Sequence, residues 1–351
     1  MSASTIPTSS SGEETVWPST TTSGKLSRAH ASAYLDRLYL PQSLLDDPPS
    51  LDLLRQLQST HILTVPFESL SVHVRDWHDF EAEIHLGGGE TVKLGEEAYR
   101  RIVELKRGGY CFSLNSTYAA LLRYFGFRVS ECAGRVFSEQ LKDPEEVGWD
   151  WQSTSHQVSI VDWKGSDGRW LSDVGFGRSC AYPILLQDGV HQTGLPDVDL
   201  YRINRTDRLP GVSPSLLPDA APIWTVYRQC LSPELRQYWS PVYTFHLQSV
   251  PFRDFITYNH FQSTHPGARF RTFFVATVQH QNGERSTLRW EERLKDEQGR
   301  KRARFSRTSR PEEGKRESEV DGRWVEMRVG PVREVLEKEF GMVFPEGYSG
   351  N

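Results

Sequence analysis

Residues 106–115 read KRGGYCFSLN and run directly into an apolar-periodic segment. Leu114, Tyr118, Leu121, Leu122 and Phe125 recur at helical spacing and Gly126 stops them. This predicts a buried helix with Cys111 in its first turn. The unpaired N–H groups and the positive dipole end of a helix start favour an anion, and a thiolate is one. Such a position, together with a His partner, can bring a Cys pKa from about 8.5 down to roughly 3.5–7.5. Gly108 and Gly109 take side chains away where a substrate carbonyl must approach the sulfur, and they tolerate unusual φ/ψ. A free Cys is more commonly a small buried hydrophobe. What sets Cys111 apart is the Gly-Gly approach, the helix start and the partners found downstream.

Beyond Gly126 the pattern changes to short strands. RVSECAGRVF (128–137) is one, and residues 138–155 read as a loop. HQVSIVDW (156–163) is strongly β, KGSDG (164–168) is a hairpin turn, and RWLSDVGFG (169–177) is the return strand. His156 starts the first of these strands and Asp173 lies on the second. If the turn pairs residue 158 with 173, their side chains share a face one diagonal step apart; a one-residue slip separates them. The chemistry needs both. A Cys nucleophile is activated by an adjacent His that takes its proton, while a third group orients and charges the imidazole.

The remaining chain frames this centre. Residues 1–25 are rich in Ser and Thr and read as a disordered tail, without the basic and apolar regions of a secretory signal. Helices are expected over Ser27–Leu40, after the cap Ser50, and over 96–105, with a two-stranded excursion at 74–95 around Gly87-Gly88-Gly89. Extended segments follow at 200–204, 224–229 and 271–279, with a Pro-rich loop at 210–222 and an Asn282-Gly283 hairpin. The densely charged stretch 291–319 reads as a solvated, mobile insertion. Pro331 opens a last amphipathic helix that Gly341 closes. A net charge of −5 implies no broad cationic surface for nucleic acid or anionic lipid. No apolar run reaches the 18 or so residues that span a bilayer. Cys111, Cys132, Cys180 and Cys230 form no Cys-x-x-Cys pair, so neither a metal site nor a disulfide framework is expected. A reducing, cytoplasmic setting suits a nucleophilic thiol.

Four motifs resemble those of the arylamine N-acetyltransferases, in the same order and over nearly all of 30–345. They are HILTVPFESLSVH (61–73), RGGYCFSLN (107–115), HQVSIVDWKGSDGRWLSDVGFG (156–177) and NHFQSTHPGARF (259–270). The resemblance implies an α+β fold in three parts with a cysteine-protease-like core. A helical bundle (26–127) carries the nucleophile and a central antiparallel β-barrel (128–245) carries His and Asp. Residues 246–351 form an interdomain segment and an α/β lid. The resemblance implies Cys111, His156 and Asp173 as the catalytic triad. Phe67, Val136, Phe137 and Phe176 are expected to line the acceptor pocket. Arg107 and Glu68 match a pair that ties two parts of the site together, beside Gly108 and Gly109. Phe261, Thr264 and Gly267 fall in the coenzyme A contact region. There are departures. Ser113 stands where the family often has an acidic or amide residue, and Ala268 stands where a Ser hydroxyl is expected to meet the cofactor. The 138–155 loop and the 291–319 stretch are longer than in compact members. Fungal relatives carry such insertions, and some use malonyl-CoA.

The activity so implied is ping-pong transfer of an acyl group through Cys111. It runs from acetyl-CoA, or propionyl- or malonyl-CoA, to an aromatic amine or hydrazine, with no permanently bound cofactor. The competing readings are a cysteine hydrolase or amidase on the same triad, and a catalytically silent binding module.

Overall fold

The computed structural model describes residues 14–19, 21–195, 197–211, 221–309, 312 and 314–346. Ser27 and Ser50 each cap a helix, accepting from the N–H of His30 and Leu53 respectively. They open α1 (Arg28–Arg37) and α2 (Leu51–Thr64). A two-residue strand, β1 (Phe67–Glu68), follows. Then come α3 (Glu96–Tyr99), continued by a helical turn at Arg100–Glu104, and α4 (Cys111–Tyr124). Every residue of α4 from Cys111 to Leu122 is buried, so this helix is wrapped on all sides. Its apolar stripe of Leu114, Tyr118, Leu121 and Leu122 packs with Tyr34, Leu54, Leu57 and Ile102. Each such burial is worth about 1.5–3 kcal/mol for a Leu- or Ile-sized side chain.

The middle of the chain forms one antiparallel sheet. Its members are β2 (Arg128–Phe137), β3 (Trp151–Asp162), β4 (Trp170–Ser172) and β5 (Ile184–Leu185), then β6 (His191–Thr193), β7 (Leu200–Thr206), β8 (Ile223–Leu231) and β9 (Gln237–Ser249). The short α5 (Pro144–Val147) interrupts the β2–β3 connection. The strand order is β5-β4-β3-β2-β9-β8-β7-β6. Ile184 near one edge and Tyr201 and Ile203 near the other enter a single apolar cluster, so the sheet curls toward a barrel.

After this sheet come α6 (Phe252–Thr264) and α7 (Arg269–Thr272). The lid consists of β10 (Phe273–Gln279), β11 (Arg285–Glu291), β12 (Ala303–Thr308) and β13 (Glu319–Val325), covered by α8 (Val329–Phe340). Its sheet order is β1-β10-β11-β12-β13, so the helical region lends the lid an edge strand. Val332, Val335, Leu336 and Phe340 of α8 are buried on the lid, and Gly341 ends the helix at φ +66°. The fold is α+β, with the expected sequence of helices, antiparallel sheet and lid. Among the described residues no helix is long and apolar enough to cross a membrane.

Several expectations need correction. Residues 14–19 and 21–25 are not a free tail. Val16 and Lys25 exchange backbone hydrogen bonds, and Trp17 packs edge-on against His30 and Tyr99. Ser23 donates to the buried Glu131 at 2.8 Å. One aromatic anchor and a few paired backbone groups suffice to seat a segment poor in aliphatics; residues 1–13 lie outside the described residues. Residues 74–95 form no hairpin. They run as turns with one bridge, Glu83 to Arg328, because Val74, Trp77 and Ile84 are drawn into the lid core. β3 starts at Trp151 rather than at His156, since bulges at Gly134/Arg135 and Arg135/Phe137 let the β2–β3 ladder continue. β9 continues past 245 to Ser249. The 291–319 stretch contains β12, whose alternate residues Ala303 and Phe305 are buried, so it is a built part of the lid. Most of the Pro-rich loop, 212–220, lies outside the described residues.

Candidate active site

Cys111 is the first residue of α4, and Tyr110 before it is extended, with φ −111° and ψ −175°. The buried Tyr110 phenol donates to Asn259 Oδ1 at 2.5 Å and lies 2.9 Å from Ser263 Oγ. Helix α6 therefore holds the residue preceding the nucleophile. The Cys111 thiol donates to the Ser155 carbonyl at 3.3 Å, and the Gln157 N–H also reaches the sulfur. Ser155 and Gln157 flank His156, so the fold lays the sulfur against the strand segment that carries the imidazole.

The β3–β4 ladder pairs Ser159 with Ser172 and Ile160 with Leu171, a register that extends to 158 opposite 173, as expected. His156 Nε2 lies 2.9 Å from Asp173 Oδ2. That leaves Nδ1 as the nitrogen available to the thiol. Asp173 Oδ1 accepts from Asn115 Nδ2 at 2.9 Å and from the Gly175 N–H at 2.8 Å. Burial pushes the Asp173 carboxyl up. The charge of His156 and the hydrogen bonds from His156, Asn115 and Gly175 outweigh it and hold the group below the usual carboxylate range. Asn115 is one helical turn after Cys111. Its Oδ1 accepts from the Val174 N–H at 2.9 Å, which fixes the amide so that Nδ2 faces Asp173 and the Gln157 carbonyl. The imidazole is further enclosed by Tyr243, with ring centroids 4.7 Å apart, and by Phe176 at 5.5 Å. Burial, then the Asp173 charge, pushes the Tyr243 phenol up.

The sulfur does not rest as an independent low-pKa thiolate. Burial pushes the Cys111 thiol up and the Asp173 charge adds to it. N–H groups of Gln157, Phe112 and Cys111 itself oppose them. A buried anion beside a carboxylate needs a cation at contact. Transfer of the thiol proton to His156 supplies one without changing the site's net charge, and Asp173 stabilises the imidazolium that results. The helix start assists this step but does not by itself offset burial of the sulfur.

The other expected residues fall into different places. Gly108 and Gly109 are packing necessities as well as openings. A Cβ on Gly108 would sit 2.0 Å from the Pro66 carbonyl oxygen, and one on Gly109 would sit 2.3 Å from Ser113 Oγ. Ser113 is buried and donates to the Tyr110 carbonyl at 3.0 Å. Glu68 and Arg107 each have other contacts among the described residues. Glu68 Oε2 accepts from the Leu70 N–H at 2.6 Å, while the Arg107 guanidinium lies over the Trp77 and Phe344 rings at 5.5 and 5.1 Å. A neighbouring buried arginine, Arg101, supports the Gly-Gly turn by donating to the Gly108 carbonyl at 3.1 Å.

Phe176 and Val136 pack with Tyr243 beside the triad. Phe67 meets Phe270 and lies over Gly177. Phe137 is fully buried against Trp149 and Trp151 instead. Phe261, Thr264 and Gly267 sit on the exposed end of α6 and the turn after it. There Phe261 stacks on His265 at 4.4 Å, and the Gly267 N–H donates to His265 Nδ1 at 3.1 Å. A cavity of about 320 Å³ between β2, β9 and α6 is lined in part by Ala133, Gly134, Thr154, Phe245 and Tyr258. Ala133 and Tyr258 belong to the apolar cluster around Cys111, and Gly134 is the ladder partner of His156.

Sequence reasoning passed over Asn115, Gly175, Arg101 and Tyr243. Asn115 had a usable signal, since the residue four after a nucleophile shares its helix face. Gly175 had no signal along the chain; only in the fold would a Cβ there lie 2.7 Å from both the Cys111 Cα and Asn115 Nδ2. Tyr243 had none, being 70 residues away along the chain from Asp173.

Comparison with known proteins agrees with this arrangement. A family model described as N-acetyltransferase matches residues 50–313. The chain is 30% identical over 245 residues to the arylamine N-acetyltransferase of Mycolicibacterium smegmatis, covering 68% of this chain and 74% of that one. It is 25% identical over 284 residues to the N-malonyltransferase FDB2 of Fusarium pseudograminearum, covering 75% and 78%. Among solved structures, the arylamine N-acetyltransferase of Salmonella typhimurium superposes with a TM-score of 0.63 at 22% identity, over 92% of this chain and 94% of that one. The Mycobacterium marinum enzyme, solved in complex with CoA, gives 0.59 at 24% identity, over 89% and 92%. These superpositions speak to the fold.

Proposed function

From the premise that this chain belongs to the arylamine N-acetyltransferase family, we propose that it is an acyl-CoA-dependent arylamine N-acyltransferase working through an acyl-cysteine. The carrying observation is the His156–Asp173 hydrogen bond at 2.9 Å on the strand segment against which Cys111 donates. His156 takes the thiol proton and the thiolate attacks the thioester carbonyl. The tetrahedral intermediate collapses with loss of the CoA thiolate, which takes the proton back from the imidazolium. An aromatic amine or hydrazine then attacks the acyl-cysteine. His156 accepts the amine proton and returns it to the departing sulfur, so the thiol is regenerated. Splitting the transfer replaces one difficult step by two easier ones. N–H groups near the sulfur, among them those of Phe112 and Gln157, are the proposed oxyanion donors.

Substrates are proposed to approach through the cavity beside Gly134, and Phe67, Val136 and Phe176 are proposed as apolar contacts for the acceptor. The end of α6 is proposed to meet coenzyme A. The Phe261–His265 stack supports this, because aromatic faces suit a nucleobase, and Thr264 and Gly267 are its neighbours. The donor is acetyl-CoA or, as the similarity to a Fusarium N-malonyltransferase favours, malonyl-CoA. All four cysteines are free thiols, which fits a cytoplasmic setting.

The test is a panel of acetyl-, propionyl- and malonyl-CoA against aniline. The readouts are the mass of the Cys111 peptide and CoA release at several amine concentrations. Acylated Cys111 and amine-dependent release are expected. Amide or peptide cleavage without acyl-CoA, and no acylated Cys111, refutes the proposal in favour of a hydrolase.

A further inference from the structure

The connection between β12 and β13 sends one carboxylate back into the molecule. Glu317 Oε1 accepts from Arg178 Nη1 at 3.1 Å and from Arg228 Nη2 at 2.8 Å, and its Oε2 accepts from Arg178 Nη1 at 3.2 Å. Arg228, on β8, also donates through Nε to Asp199 Oδ1 at 2.6 Å. Arg285, on β11, donates to the Gly177 carbonyl at 2.6 Å and to Gln279 Oε1 at 3.3 Å. Arg228 and Arg285 are 8% and 7% exposed. Three guanidiniums thus gather around two carboxylates, Asp199 and Glu317, where the lid meets the central sheet.

The cluster closes on the turn 173–179. The inner end of that turn carries Asp173, bonded to His156, and Phe176, packed on the His156 ring. Its middle is held by Ser179 Oγ, which accepts from the Phe176 N–H at 3.1 Å. Its outer end is held through the Gly177 carbonyl by Arg285, through the Arg178 carbonyl by the Tyr201 hydroxyl, and through the Arg178 side chain by Glu317. Without Glu317, three buried or half-buried cations face a single carboxylate. Their repulsion is relieved most easily by Arg178, whose side chain is already 27% exposed and can swing to water.

We infer that Glu317 is a positioning residue for the reaction: by bridging Arg178 and Arg228 it fixes the outer end of the 173–179 turn and, through Phe176 and Asp173, the imidazole of His156. A segment that reads as solvated charge thereby reaches the outer end of the 173–179 turn. The inference rests on the transferase reading for its kinetic readouts only.

The test compares wild type, Glu317→Ala, Glu317→Gln, Arg178→Ala and the Glu317→Ala/Arg178→Ala double variant. Near-ultraviolet circular dichroism establishes folding. The readouts are the rate of Cys111 alkylation by iodoacetamide, kcat, and KM for donor and acceptor. A slackened catalytic geometry in Glu317→Ala is expected to lower alkylation and kcat about 10-fold. The donor KM should stay within about 2-fold, which a general loss of structure would not spare. Glu317→Gln keeps the acceptor oxygen without the charge and should fall between; it also decides the matter if the Ala variant does not fold. The double variant should be no slower than Arg178→Ala, because both act through one contact. A folded Glu317→Ala or Glu317→Gln enzyme with wild-type alkylation and kcat overturns the inference. So does multiplication of the two single effects in the double variant. If wild type transfers no acyl group while Glu317→Ala still slows alkylation, the functional reading fails and this inference stands.

Discussion

Asn115→Asp is the sharpest probe of the catalytic geometry. The Asn115 oxygen accepts from the Val174 N–H, so its nitrogen is the atom 2.9 Å from Asp173 Oδ1. Replacing that nitrogen by a carboxylate oxygen brings two acidic groups to contact in a buried site. Two unit charges at this separation repel by about 6 kcal/mol at an effective dielectric of about 20. That equals about 4 pKa units. The pair therefore shares one proton well above the usual carboxylate range and loses it only as pH rises. While the proton is shared, Asp173 supports an imidazolium on His156 less well. Disabling the third member of a serine triad costs about 10⁴-fold, so a partial loss of about 10²–10⁴ is expected at pH 7. Cys111 alkylation and acyl transfer, measured across about pH 5 to 10, should both recover towards the alkaline end. Asn115→Leu, which adds no charge, should show no such step. It orphans the Val174 N–H and Gln157 carbonyl at about 1–3 kcal/mol each. A folded Asn115→Asp enzyme with the wild-type rate and pH profile would show that Asn115 does not face Asp173 as argued.

Three further outcomes are expected. Cys111→Ser should leave the fold intact and abolish acyl-enzyme formation; substantial amine-dependent CoA release by this variant would falsify the assignment of the nucleophile. Gly175→Ala places a methyl 2.7 Å from the Cys111 Cα and must push α4 from the 173–179 turn. It should cost about 1–3 kcal/mol of stability by denaturant titration, and a larger proportional loss of kcat; unchanged kcat would mean that turn and helix move independently. His61 is fully buried, and burial, with Arg37 nearby, lowers its pKa to about 3. The folded state therefore stays neutral where the unfolded chain takes a proton. Above pH 6.5 His61 contributes nothing to the pH dependence; below it, stability falls by up to about 1.4 kcal/mol per pH unit until about pH 3. His61→Phe should flatten the stability curve between pH 6 and 4, and an unaltered slope in urea titrations would contradict the shift.

Where the local pattern and the tertiary demand coincide, the chain is legible. Ser27, Ser50 and Gly341 mark helix ends because caps are satisfied within a few residues. The KGSDG turn marked the β3–β4 hairpin, while the register that brings His156 to Asp173 was left open in the sequence and is given by the Ser159–Ser172 and Ile160–Leu171 pairs. Legibility failed where a distant partner overrode the local preference. Trp17 made a seat for residues that look disordered. The Arg107 guanidinium lies over the Trp77 and Phe344 rings, and Arg178 and Arg228 captured Glu317 out of a run that looks solvated. The raised Cys111 thiol belongs with these cases, because desolvation depends on everything packed around an atom.

The order of residues alone pointed to Cys111, His156 and Asp173 as the candidate triad, by motif resemblance, and to the class of fold. Each rests on short-range periodicity or on motifs that must stay contiguous to work. Only the folded chain decided that Asn115 and Gly175 hydrogen-bond Asp173, that Tyr243 and Phe176 enclose the imidazole, and that the charged insertion reaches the 173–179 turn. These are contacts between segments tens to hundreds of residues apart, and burial and charge pairing at such contacts are properties of the packed molecule, with no local signature along the chain.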